Sequence, residues 1–157
     1  MRKPSSPRAP IPEVGQGKRG ISGHIGYLLR QAHAAHRGSM ERALAAQGMT
    51  LPQFSVLTML QAYPGASGAE LARLSMLTAQ TMSVIVGNLE RDGWVVRRPD
   101  PAHGRIQLIE PTPAGKALLA QCKAAVQQVE AALLANVTPE AEQTIRHWLV
   151  QVAMSTL

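Results

Sequence analysis

Thr78, Gln80, Thr81 and Ser83 crowd the start of one amphipathic segment, and Arg97, Arg98, His103 and Arg105 crowd the stretch that follows it. Short polar side chains at a helix start can hydrogen-bond to base edges, and a Gln can hold adenine through two bonds. The N–H groups exposed at the same helix start can meet a phosphate. The downstream cations suit an anionic partner. An Arg gains most where a narrow minor groove concentrates negative potential, and Arg105 is the first choice for that role. Arg73, a few residues upstream, suits a phosphate contact. Thr78 also has an ordinary use as a helix N-cap, whereas Gln80 and Thr81 have no comparable one. His103 adds an imidazole to the same stretch. A plain solvated charged hairpin is the alternative reading of the downstream group.

Other reactive side chains point nowhere so specific. His33 and His36 lie three apart, a spacing compatible with a metal, but no second cluster of Cys, His, Asp or Glu accompanies them. They read as solvent-facing or satisfied histidines, and no metal is expected. The single cysteine, Cys122, excludes a disulfide framework and a Cys-rich zinc site, and its apolar neighbours suit a small core residue. There is no nucleophile–base set with a local signature. Gly15, Gly17 and Gly20 precede any strand and so do not form a phosphate-cradling loop. No catalytic residue and no cofactor is expected.

These side chains need elements to hold them. A helical pattern opens after Ser22 with Ile25, Leu28, Leu29, Ala32, Ala35, Met40 and Leu44, and Gln47-Gly48 ends it. Thr50-Leu51-Pro52-Gln53 is a capping-box pattern that launches a helix carrying Phe54, Leu57, Met59 and Leu60 up to Pro64-Gly65. Ser67-Gly68-Ala69-Glu70 repeats the box for a short helix through Leu74. A third helix begins at Thr78 and turns Met82, Ile85, Val86 and Leu89 inward before Asp92-Gly93. Residues 94–98 read as a strand, 99–104 as a turn and 105–109 as the returning strand. Thr112-Pro113 starts a long helix with an apolar stripe from Leu118 to Leu134, and Thr138-Pro139-Glu140 caps the last helix.

An isolated hairpin is marginal, so this one must dock on the short helices. The fold expected is mainly α: a winged helix-turn-helix of three short helices and a two-stranded β wing over 49–111. Long N- and C-terminal helices over 22–48 and 112–157 form a dimerisation region, because their stripes exceed what one small core covers. Residues 1–21 read as a disordered basic tail.

The 157 residues allow about one domain, and a hydrophobic fraction of 45% with only 3% aromatics favours a core of Ala, Leu, Val and Met on helices. The net charge of +6 is concentrated near the start, where residues 1–20 hold five cations against one acid. That tail suits nucleic acid or serves as a solubilising arm. No apolar run reaches the roughly 18–20 residues a membrane span needs and the start has no apolar leader, so a soluble cytoplasmic protein without membrane partners is expected.

Three segments, in order, resemble the MarR family of bacterial transcriptional regulators. They are Gly26-Tyr27-Leu28-Leu29-Arg30-Gln31-Ala32, then Gly48-Met49-Thr50-Leu51-Pro52-Gln53-Phe54, then Leu89-Glu90-Arg91-Asp92-Gly93-Trp94-Val95-Val96-Arg97-Arg98 with Asp100-Pro101 and Thr112-Pro113-Ala114-Gly115 in register. The resemblance covers residues 23–155. It implies a homodimer that presents two winged modules to a pseudo-palindromic operator in double-stranded DNA. It also implies a small aromatic or phenolic anion as effector, bound in the region of Tyr27, Arg30, His33, His36, Phe54 and Leu57. For Phe54 and Leu57 plain core, and for Tyr27 the dimer interface, is the competing reading.

Two departures from the family pattern stand out. Many members carry an Arg where this chain has Val84, and His103 replaces the Asp of an Asp-x-Arg near the wing tip. The function expected is a dimeric, sequence-specific transcriptional regulator, a repressor released by its effector. The alternatives are a regulator without effector or gated by thiol oxidation, and a helical dimeric adaptor that has lost DNA binding.

Overall fold

A computed structural model describes residues 11–155 and divides the chain into two units, 1–38 and 39–157. Residues 1–10, which include Arg2, Lys3 and Arg8 of the expected tail, lie outside the described residues.

In the first unit, the stretch expected to be disordered is folded from Pro12 onward. A 3-10 turn at Gly17–Arg19 is closed by Gly20 N–H donating to the Gly17 carbonyl at 3.1 Å. Arg19 donates to the Pro12 carbonyl at 3.0 Å and to Gln31 Oε1 at 3.4 Å, and Gln31 donates back to the Arg19 carbonyl at 3.2 Å. Hydrogen bonding, not apolar burial, organises this segment, which is why hydrophobic patterning missed it. Helix α1, Ile25–Ala45, begins here.

In the second unit, the end of α1 buries Met40 and Leu44 and stops at Gly48, whose φ of +72° is left-handed. Helix α2 is Leu51–Ala62, with Thr50 accepting from Gln53 N–H at 3.4 Å and Gln53 Oε1 accepting from Thr50 N–H at 3.0 Å. Helix α3, Gly68–Leu74, has the same reciprocal box between Ser67 and Glu70. Helix α4 is Ala79–Arg91. Strands β1, Val95–Pro99, and β2, Gln107–Pro111, pair antiparallel, with Val95 opposite Pro111 and Pro99 opposite Gln107. Helices α5, Pro113–Leu134, and α6, Pro139–Met154, complete the chain, capped by Thr112 and Thr138.

Leu57, Leu60, Leu71, Met82, Val86, Leu89, Ile109 and Cys122 form the centre of one apolar core. The hairpin docks as its marginal stability requires. Val95 and Ile109 are buried, and Ile109 N–H donates to the Ala66 carbonyl at 3.2 Å beside a single bridge between Ser67 and Leu108. The start of α5 is pinned to the same place. Thr112 Oγ1 donates to the Gly93 carbonyl at 2.7 Å, and a methyl group at Gly115 would collide with the Trp94 carbonyl oxygen. Only glycine lets the two backbones approach this closely. By contrast, α6 buries no residue.

Candidate nucleic-acid interface

The buried stripe of α4 is Met82, Ile85, Val86 and Leu89, so the helical repeat turns Gln80, Ser83, Val84, Gly87 and Arg91 away from the core. Thr78 caps this helix, its Oγ1 accepting from Thr81 N–H at 3.1 Å. The Thr81 hydroxyl lies 2.9 Å from the same Oγ1. This corrects the sequence reading: Thr81, like Thr78, has a structural use in the cap. Gln80 and Ser83 are exposed, and among the described residues their side chains make no hydrogen bond. The turn before α4 holds Met76 at φ +54°, the only non-glycine residue with positive φ among those described, and 92% exposed. No Gly or Asn marks that turn in the sequence, so it could not be foreseen there.

Arg105 and Ile106 lie in the wing tip and not in the returning strand where the sequence reading put them. Asp100 is the cause. Its carboxylate accepts from Ala102 N–H at 2.8 Å and its own N–H donates to the Ile106 carbonyl at 2.8 Å, closing residues 100–106 into a longer turn. His103 and Arg105 are both exposed there. Arg105 makes no hydrogen bond or ion pair among the described residues, so the tip presents a solvated guanidinium.

Arg97 and Arg98 behave differently. Arg97 Nε donates to Glu90 Oε2 at 3.0 Å, and Arg98 Nε donates to Glu110 Oε2 at 3.0 Å. Each has a carboxylate partner within the domain, which sequence spacing alone did not show. Arg91, at the end of α4, donates to Asn88 Oδ1 at 3.0 Å and to Asp92 Oδ1 at 3.3 Å. Arg73 is exposed on α3 and makes no hydrogen bond among the described residues. Its charge helps hold the Glu70 carboxyl below the usual range, after the larger contributions of the Ser67 N–H and hydroxyl.

The residues expected near an effector separate by environment. In the first unit, Arg30 lies over the Tyr27 ring at 5.6 Å from its centroid, and Tyr27 is half-buried while Arg30 and His33 are exposed. His36 is half-buried. In the second unit, Phe54 is 8% and Leu57 0% exposed, which makes both part of the core. Two clefts of about 470 Å³ lie elsewhere in that unit. One is lined by Tyr63, Pro64, Arg73 and Leu74, and the other by Gln61, Glu110, Lys116 and Leu119. None of the six expected effector residues lines either cleft.

Cys122 is fully buried, with Sγ 3.7 Å from Met49 Sδ, and burial pushes its thiol pKa up. Among the described residues no three His, Cys, Asp or Glu side chains gather as a metal site would need. No helix among them is long and apolar enough to cross a membrane.

The family model described as MarR family matches residues 47–106. The chain is 36% identical over 125 residues to the HTH-type transcriptional repressor Rv2887 of Mycobacterium tuberculosis, covering 80% of this chain and 90% of that protein. Among solved structures, the transcriptional repressor CouR bound to a 23-mer DNA duplex superposes with a TM-score of 0.78 at 27% identity, over 83% of this chain and 92% of CouR. CouR from Rhodococcus jostii RHA1 bound to p-coumaroyl-CoA gives 0.79 at 27% identity, over 87% and 96%. With its docked wing and its capped α3–α4 pair, and with relatives that are transcriptional regulators over most of their length, the chain belongs to the MarR family.

Proposed function

We propose that the protein is a homodimeric, sequence-specific repressor that sets α4 in the major groove and the wing tip in the adjacent minor groove. The observation that carries this reading is the face of α4 opposite the core. Among the described residues it offers Gln80 and Ser83 without a side-chain partner, and Arg105 at the wing tip has none either. Thr78 and Thr81 shape the helix start whose N–H groups meet phosphate. Arg73 supplies a further phosphate contact, His103 a polar neighbour to Arg105, and Arg97 and Arg98 brace the strands that carry the tip. The CouR–DNA structure supports the placement of a related fold on a duplex.

Dimerisation is supported by α6. Ile145, Trp148 and Leu149 recur at helical spacing and stay about two-fifths exposed, an apolar seam that a second copy would cover. An effector is supported by the relative that binds p-coumaroyl-CoA, an aromatic acyl thioester. On this chain Tyr27, Arg30, His33 and His36 of the first unit remain the candidates to meet it, while Phe54 and Leu57 serve the core of the second. The buried thiol of Cys122 favours effector gating over oxidation gating.

Mobility shift with the chain's neighbouring genomic fragments tests the reading. One fragment should bind far above bulk DNA, with half-sites about one helical turn apart and affinity falling steeply with salt. Aromatic acids, titrated into that complex, should release the DNA. Equal affinity for every fragment would defeat the proposal.

A further inference from the structure

Val84 sits in the middle of the outward ridge of α4, one turn after Gln80 and two turns before Arg91, opposite the buried stripe. It is 59% exposed, a β-branched apolar side chain where neither packing nor helix propensity asks for one. Gly87, the next residue along the ridge, carries no side chain to shield it. The one cation of α4, Arg91, is turned toward Asn88 and Asp92. The centre of this ridge therefore offers hydrocarbon and no charge.

In the major groove one base edge matches such a surface. Thymine carries a C5-methyl group, whereas cytosine at the same place offers an amino donor that valine cannot accept. We propose that Val84 is a specificity-determining residue that packs against a thymine methyl beside the base Gln80 reads, so that each half-site requires a thymine there. This rests on the reading of α4 as the major-groove helix and adds to it the base class the ridge selects. Arg at this position would favour guanine through two hydrogen bonds. With Val84 the discrimination comes from shape and exclusion of water, and it contributes no counterion release.

The test starts with the full chain selecting duplexes from a randomised library. Each thymine of the selected site is then replaced in turn by deoxyuridine, which removes only the methyl group. One symmetric pair of thymines should lose roughly fourfold in affinity per half-site, the value of one buried methyl. Val84→Ala should bind the thymine site more weakly and be indifferent to deoxyuridine at that pair, and Val84→Thr, of similar shape, should keep part of the sensitivity. Thermal unfolding should show no marked loss of stability in either variant, since the side chain is exposed, and Val84→Ala should gain slightly because Ala is the better helix former. A selected site with no sensitive thymine, or a Val84→Ala variant as sensitive as the parent, overturns this inference and leaves DNA binding standing. A library that yields no enriched sequence overturns both.

Discussion

Arg97 donates from Nε to Glu90 Oε2 at 3.0 Å, tying the first wing strand to the last turn of α4. Arg97 shares the ribbon face of buried Val95, so the pair bridges two elements that must be held at a fixed angle if both are to reach one duplex. Both side chains are partly exposed, and such a pair contributes about 0.2–1 kcal/mol to stability. Its larger effect is on geometry.

The two kinds of wing arginine should separate by salt. Arg105→Ala is expected to weaken binding and to lower the slope of log affinity against log salt by about one, the signature of one cation fewer in the field of the duplex. Arg97→Ala is expected to weaken binding severalfold with the slope unchanged, because Glu90 already neutralises that charge. Titrations at four salt concentrations decide it, and a lowered slope in Arg97→Ala would place that residue on the DNA.

Gly87 interrupts the interior of α4, yet a methyl group there would meet nothing within 4 Å. Gly87→Ala should therefore stabilise the protein by about 1 kcal/mol in urea unfolding. On the duplex the added methyl stands between the helix and the groove floor, so affinity should fall. Opposite signs in the two measurements are the expected result, and a gain in both would take Gly87 off the interface.

Cys122 should resist thiol reagents in the native protein and react at full rate once the chain is unfolded, because burial disfavours the thiolate. Cys122→Ser puts a hydroxyl into the apolar core beside Met49 Sδ and should cost about 1–3 kcal/mol. Peroxide at concentrations that leave the methionines intact should not alter DNA binding. Release of DNA by peroxide, lost in a Cys122→Ala variant, would reverse that assignment.

Glu70 in its capping box is held below the usual carboxylate range by the Ser67 N–H first and the Ser67 hydroxyl second. A depressed folded pKa stabilises the fold above the ordinary glutamate value of 4.5, and the contribution disappears as pH falls through the folded pKa. Melting temperature followed downward from pH 6 should therefore drop less steeply in Glu70→Gln than in the parent. Parallel curves would remove Glu70 from the acid response.

Helix starts were the most legible part of this sequence, because capping is local chemistry. The boxes at Thr50–Gln53 and Ser67–Glu70 and the caps at Thr78 and Thr112 are all where residue type and spacing put them. The wing was legible in kind but not in register. Asp100 lengthens its tip by a side-chain bond that strand propensity does not encode, which moves Arg105 out of the strand. The ion pairs of Arg97 and Arg98 were hidden because Glu90 comes close only after the hairpin docks on α4, and Glu110 only once the two strands pair. The folded stretch from Pro12 to Ser22 was hidden for the opposite reason. Its bonds are polar and its composition reads as loop.

A sixteen-residue helix with no buried side chain, such as α6, is marginal in water by itself. The far end of the chain should thus act as a gauge of how much protein is present. On dilution its helicity should melt away before the core that holds Leu57 and Leu89 loosens, and Trp148 fluorescence would redden while the half-buried Trp94 stays unchanged.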